Sequence, residues 1–187
     1  MDERQEQWES RYAAVDRLWS EQPNDWLPEL AAAWEPGRAL DLGCGEGADA
    51  VWLAERGWEV TGVDLSATAI ARMEAEARLR GLEERVHGVV LDVTREELPV
   101  GPFDLVAAFY VHGGPMPGSL DLVELLARGA GLVAPGGRLL TAVHCVNPPW
   151  HGHHACTYTP DELLAGLAGA TRGWQVEAEL NRSKSVV

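Results

Sequence analysis

Short apolar runs alternate along the chain with segments whose apolar residues recur every three or four positions, the pattern of strands and amphipathic helices in β/α units. Arg38–Leu42, Glu59–Asp64, Val86–Leu91, Phe103–Phe109 and Arg138–Val143 read as strands. Trp174, Val176, Ala178 and Leu180 alternate with polar residues, which reads as a half-exposed sixth strand. Ala48–Arg56 is a helix closed by Gly57, and Ser66 caps a second helix that carries Ile70, Met73 and Ala77 and closes at Gly81. Leu120–Leu132 is a helix stopped by Ala134-Pro135-Gly136-Gly137. Thr159-Pro160-Asp161-Glu162 joins an N-cap, a first-turn proline and a capping-box glutamate, so a helix runs to about Ala168. At the front, Asp2–Trp19 reads as helix, with Trp8, Tyr12, Val15 and Trp19 in a stripe that must pack on something. Six strands joined by crossover-length connections make a doubly wound, mostly parallel α/β sheet. Ligands of such sheets bind beyond the carboxyl ends of the strands, where strand order reverses.

Composition narrows the partners. The 187 residues carry a net charge of −14 and are 46% apolar, enough chain for one domain with a real core. That charge repels phosphate backbones and anionic lipid, so neither nucleic acid nor a membrane is expected as a partner. No stretch reaches the roughly 20 apolar residues of a membrane span, and the start of the chain has no apolar signal core, which points to the cytoplasm. Three cysteines, Cys44, Cys145 and Cys156, suit a reducing compartment, and no structural disulfide is expected.

The chemistry centres on Asp41-Leu42-Gly43-Cys44-Gly45-Glu46-Gly47-Ala48. Its glycines permit a tight strand-to-helix turn and the approach of a ligand to bare backbone amides. The spacing Gly43-x-Gly45-x-x-Ala48 also fits a dinucleotide fingerprint, with Asp64 placed for a ribose diol, so the glycines do not separate the cofactors. The carboxylates of Asp41, Glu46 and Asp49 do, because like charges beside a pyrophosphate cost several kcal/mol at intermediate dielectric. S-adenosylmethionine has no phosphate and offers an ammonium and a sulfonium, which suit an acidic turn.

With those residues in view, the chain resembles the class I S-adenosylmethionine-dependent methyltransferases. The resemblance runs from about Arg38 to Val143, through Leu40–Gly47, Val60–Asp64, Leu91-Asp92-Val93, Phe103–Val106 and Leu132–Gly137. The opening Trp8-Glu9-Ser10-Arg11-Tyr12, with Leu18-Trp19, looks like the small tellurite-resistance and thiopurine-type branch. The resemblance implies a single Rossmann-like domain over 1–187, with 1–34 as a helical lid. It implies that Asp41, Gly43, Cys44 and Gly45 hold the methionine part of the cofactor, Asp64 the ribose with Leu65 beside the adenine, Asp92 and Val93 the adenine, and Phe109 the methionine end. Tyr12 or Trp19 would fold over the cofactor, or else simply pack the first helix on the sheet. Cys44 is small filler in the turn. The family's C-terminal antiparallel strand appears to be missing, since only Asn181–Val187 follow the sixth strand. Either the chain is shortened there or a partner, such as a second copy in a homodimer, supplies the strand at an open edge.

Methyl transfer from a sulfonium is an in-line displacement in which alignment and exclusion of water dominate. A small-molecule acceptor is expected. Where it must lose a proton, His112 after the fourth strand and His144 after the fifth are the expected catalytic bases, against a plain loop role for each. Asn147-Pro148-Pro149-Trp150 matches an amide-gripping motif, yet follows strand five where that motif belongs after strand four. The His144-Cys145 and His151–Cys156 segment is rich in soft ligands, but its spacing fits no named zinc pattern, so no metal is assigned. A nicotinamide-dependent oxidoreductase and a non-catalytic cofactor- or metal-binding module remain the competing readings.

Overall fold

Four of the six expected strands keep their bounds to within a residue, and the fifth begins at Val133, so that Ala134-Pro135-Gly136-Gly137 lies inside it. The computed structural model describes residues 3–113, 119–146 and 156–179. Strands β1 (Arg38–Leu42), β2 (Glu59–Asp64), β3 (Val86–Val90), β4 (Phe103–Phe109) and β5 (Val133–Ala142) form one sheet in the order β3-β2-β1-β4-β5. Every pairing in it is parallel. The order reverses between β1 and β4, where Asp41 lies opposite Ala107, so the ligand cleft expected of such sheets opens above that pair.

Helices cover both faces. Helices α3 (Ala48–Ala54) and α4 (Ala67–Leu79) pack with α2 (Trp26–Ala31) on the face built from Leu27, Leu53, Trp58, Ile70, Met73 and Leu105. Helices α5 (Leu122–Ala130) and α6 (Pro160–Leu167) cover the other, around Leu40, Leu42, Val106, Leu126 and Leu163. Alternation along β1 therefore turns Leu40 and Leu42 toward α5 and puts Asp41 on the face of α2 to α4. Ser66 caps α4 by accepting from the Ala69 amide at 3.1 Å, and Thr159 with Glu162 forms the expected capping box on α6.

Three expectations are corrected. The first helix, α1, spans Glu3–Ala13 and stops there. The amides of Leu18 and Trp19, which a continuing helix would use internally, instead donate to the Glu46 carboxylate at 2.9 Å each. The short α2, which follows that turn, carries no periodic signal long enough to be read in sequence. The sixth strand does not form over Trp174–Glu179, and Leu180 lies outside the described residues. Trp174 is 41% and Val176 61% exposed, so the alternation is not matched by one-sided burial, and Glu177 is held to β5 by an ion pair with Arg138. The connection from β3 to β4 contains no helix. The tail Asn181–Val187, the Asn147–Trp150 motif and His151–Ala155 also lie outside the described residues.

Gly47 shows how the turn is locked onto the core. Its φ is +80°, and a methyl group there would lie 2.1 Å from Met73 Cγ, a fully buried side chain of α4. Gly47→Ala is expected to destabilise the fold by about 2–4 kcal/mol through left-handed strain and overpacking together. A shift in the denaturant midpoint at unchanged slope measures it.

Candidate active site

The turn from β1 to α3 brings four carboxylates together. Asp41, Glu46 and Asp49 are buried, and Asp64 at the end of β2 joins them. Three of the four are spoken for. Glu46 accepts from Leu18 and Trp19 and from Arg72 Nη1 at 2.7 Å, and Arg72 also donates to the carbonyls of Tyr12 and Val15. Asp49 accepts from the amide and side chain of Asn24. Asp64 accepts from the Gly45 amide at 3.0 Å and the Ser66 amide at 2.9 Å. Asp41 is 2% exposed, and its Oδ2 is buried without a hydrogen-bond partner. Burial, then the neighbouring charges of Asp49 and Asp64, push its carboxyl well above the usual range. Burial also raises Asp49 and Asp64 against the hydrogen bonds that favour their ionised forms.

The amides expected to be bare are not. Gly43 and Cys44 both donate to the Val63 carbonyl, Gly45 to Asp64 and Gly47 to the Cys44 carbonyl. A phosphate grip needs several such N–H groups aimed at the ligand. Gly43, Cys44, Gly45 and Gly47 spend theirs on β2 and on the turn itself, and Asp41 Oδ2 is left without a partner.

Cys44 is inert filler, as its position in the turn suggests. A methyl group on Gly62 would meet its Sγ at 2.9 Å, and burial with Asp41 and Asp64 nearby pushes the thiol up.

Over the far end of the cleft lies α1. Gln5 donates to the Leu65 carbonyl, Glu9 accepts from the amides of Ala67 and Thr68 at the start of α4, and Arg4 pairs with Asp92 and donates to Thr94 Oγ1 at 2.8 Å. Burial disfavours the Asp92 charge, but Thr94 and Arg4 outweigh it and hold the carboxyl below its ordinary range. Val93 packs toward α5, with its carbonyl accepting from Arg128. These fastenings join residues about 60 to 90 positions apart, and no local signal in the sequence announces them.

The aromatic stripe of the first segment packs on itself and on the turn. Trp19 Nε1 donates to Tyr12 Oη at 2.9 Å, and Trp8 lies within 6.5 Å of both rings. A methyl group on Gly45 would stand 3.2 Å from Tyr12 Oη and 3.3 Å from Trp19 Cδ1. Burial and the Asp64 charge push the Tyr12 phenol upward. On the other side of the turn, Gly43 lies against Val111, and Phe109 is buried on the same sheet face as Ala107, the cross-strand partner of Asp41. Just past it, His112 and His144 meet at 2.9 Å between Nε2 and Nδ1.

Arg4, Trp19, Asp41, Asp64, Asp92, Phe109, His112 and His144 border one cleft of about 2420 Å³. A parallel doubly wound sheet whose switch point carries an acidic, cation-seeking turn defines the class: an α/β nucleoside-cofactor domain that does not grip a pyrophosphate.

Comparison with known proteins names the family. The profile described as "Methyltransferase domain" matches residues 39–137. Ubiquinone biosynthesis O-methyltransferase of Alkalilimnicola ehrlichii is 32% identical over 154 residues, 81% of this chain and 58% of that protein. A solved coclaurine N-methyltransferase bound to N-methylheliamine and SAH is 26% identical with a TM-score of 0.53, covering 62% of this chain and 33% of its own. A structure described as "Conversion of a Disulfide Bond into a Thioacetal Group during Echinomycin Biosynthesis" shares the fold at a TM-score of 0.67 and 23% identity, covering 94% of this chain and 80% of its own. The chain belongs to this methyltransferase family. It spans about half the length of the curated relatives it matches.

The raised Asp41 carboxyl has a consequence for stability. A carboxyl whose folded pKa lies above its unfolded value takes up a proton on folding, so its contribution is present at low pH and lost as pH rises through the folded value. The cofactor-free protein is expected to gain thermal stability as pH falls through the raised titration of Asp41, and Asp41→Asn to flatten that rise in a melting series. Replacing Glu46 by Ala leaves Arg72 without its buried carboxylate and is expected to cost about 3 kcal/mol. Faster amide exchange over residues 3–25 would register the released segment.

Proposed function

We propose that the protein transfers a methyl group from S-adenosylmethionine to a small-molecule acceptor. The observation that carries this reading is the buried, unpartnered Asp41 oxygen beneath a turn whose amides are already used. When bound, the cofactor supplies an electrophilic methyl group on a positively charged sulfur. Asp41, with the backbone of Gly43, Cys44 and Gly45, holds the ammonium end, and Phe109 borders it. Asp64 takes the ribose hydroxyls, with Leu65 beside the base, and Asp92 and Val93 take the adenine edge once Arg4 yields. Segment 1–34 closes over the cofactor as a lid, with Trp19 and Tyr12 at its tip. His112 and His144 stand on the acceptor side and receive a proton where the acceptor must lose one.

Relatives acting on small molecules support the acceptor class, as their names describe a ubiquinone-pathway O-methyltransferase and an N-methyltransferase holding N-methylheliamine. The net charge of −14 supports an acceptor that is not nucleic acid. The free state of all three cysteines supports action in the cytoplasm. Among the described residues no helix is long and apolar enough to cross a membrane. The Trp8–Tyr12 motif supports a place near the tellurite-resistance and thiopurine-type branch, and the outer edge of β5 is where a second copy would pair in a homodimer.

Calorimetric titration with S-adenosylmethionine, S-adenosylhomocysteine and NAD tests the reading. Both adenosyl ligands are expected to bind and NAD not to. Asp41→Asn removes a charge-assisted contact of about 1.5–3 kcal/mol, a loss of roughly 10- to 100-fold in affinity. Arg4→Ala, which frees Asp92 from its competing partner, is expected to tighten binding. Heat with NAD alone would reject the proposal.

A further inference from the structure

One face of β5 carries a track of side chains that the cofactor site does not use. Arg138, Leu140 and Ala142 alternate onto the sheet face of α2 to α4, where Leu140 and Ala142 join the core, while Leu139 turns to the other face. Trp34, in the link from α2 to β1, is half-buried on the same face, and the Arg138 guanidinium lies 4.6 Å from its ring centroid. At the upper end of the track the Tyr110 amide donates to the Ala142 carbonyl at 2.8 Å. Trp34, Arg138, Leu140, Ala142 and Tyr110 border the same cleft as Asp41. Register sets Leu140 level with Ala107 and Asp41, and Arg138 level with Leu105 and Ala39. At a rise of about 3.3 Å per residue, position 138 lies about 13 Å below position 142. The track is therefore an apolar strip with a cation at its lower end.

That cation is only loosely engaged. Glu177 accepts from Arg138 Nε at 2.8 Å, but its side chain is 59% exposed, so water screens the pair. Among the described residues, Nη1 and Nη2 of Arg138 have no acceptor, and together they form the edge that grips a carboxylate with two parallel bonds. Arg4 and Arg11 also border the cleft, but Arg4 is paired with Asp92 and Arg11 is stacked on Trp8 and Trp19.

Resting on the methyltransferase reading, we propose that this track is an acceptor subsite and that the acceptor is an amphiphilic carboxylic acid, with an apolar body between its carboxylate and its reacting end. Nη1 and Nη2 of Arg138 hold the carboxylate, which anchors the molecule and does not react. Trp34 and Leu140 carry the apolar body, and the reacting end lies toward Ala142 and Tyr110. Charge fixes this orientation. Asp41, Glu46, Asp49 and Asp64 crowd the cofactor turn and repel an anion there. Position 138 is two strands across and two residues down from Asp41 on that sheet. At ordinary strand spacing and rise that is about 12 Å, beyond the screening length of about 8 Å at physiological ionic strength. The same register sets the length: a body that spans the track is about 10–13 Å long.

Calorimetric titration of the full chain, saturated with S-adenosylhomocysteine, tests the subsite with ω-phenylhexanoate, its uncharged primary amide, and benzoate as a short acid. ω-Phenylhexanoate is expected to bind about 10-fold more tightly than its amide, and more tightly than benzoate. Arg138→Gln should weaken the acid about 10-fold and leave the amide within about twofold, whereas Trp34→Leu should weaken both alike. Glu177→Gln removes the competing carboxylate and should tighten the acid. A merely structural ion pair would give a different pattern, because losing either partner would then act in the same direction. Nuclear Overhauser contacts should place the phenyl ring by Ala142 and the methylenes next to the carboxylate by Trp34. An acid that binds no better than its amide or than benzoate, unchanged affinity for the acid in Arg138→Gln, unchanged or weaker affinity in Glu177→Gln, or the reverse orientation overturns the inference alone. The acid, amide and benzoate comparisons use the wild type, so they decide even where a variant misfolds. Failure of the wild type to bind S-adenosylhomocysteine overturns the methyltransferase reading instead, and the acid titration of the cofactor-free protein still reads the Arg138 subsite.

Discussion

Four carboxylates crowd one glycine turn, and the rest of the molecule is arranged around what that crowding costs. Each must be matched, because an unmatched buried charge is among the most expensive features a fold can hold. Glu46 is matched by recruiting residues 18–19 and Arg72, Asp49 by Asn24, and Asp64 by the turn's own amides. The N-terminal segment is thus held in place by the charges of the cofactor turn. Asp41 is left without such a match at Oδ2, and burial with its charged neighbours raises its carboxyl.

Under the proposed function, this arrangement couples binding to the position of residues 3–25. Arg4, Gln5 and Glu9 bridge α1 to the ends of β2, β3 and α4, while Tyr12 and Trp19 rest on Gly45. A ligand entering at Asp41 must therefore meet the same segment that Glu46 and Asp49 hold down. His112 and His144 meet away from this segment, just past the carboxyl ends of β4 and β5, and Val111 packs on Gly43.

Most of the fold was legible because strand and helix periods are local properties. Arg38–Leu42, Glu59–Asp64 and Phe103–Phe109 appear with the expected ends, and Ser66 and Thr159 cap the expected helices. The break after Ala13 was hidden, since Trp8, Tyr12, Val15 and Trp19 keep helical spacing and the competing partner, Glu46, lies some 30 residues downstream. Alternation at Trp174–Leu180 misled for the converse reason: a period of two describes a strand only where a neighbour completes the ladder. In the site, the acidic turn and the approach of His112 to His144 at one sheet edge were foreseeable from topology. The consumption of the turn's amides and the Arg4–Asp92 pair were not, because both depend on contacts between distant segments.

Carbon-13 titration of the Asp41 carboxyl, with and without S-adenosylhomocysteine, tests the central claim most directly. The account predicts a carboxyl that titrates above the ordinary carboxylate range in the empty protein and moves down once the ligand's ammonium is bound. An ordinary carboxylate titration in the empty protein, or a carboxyl that stays protonated when the site is filled, would contradict it.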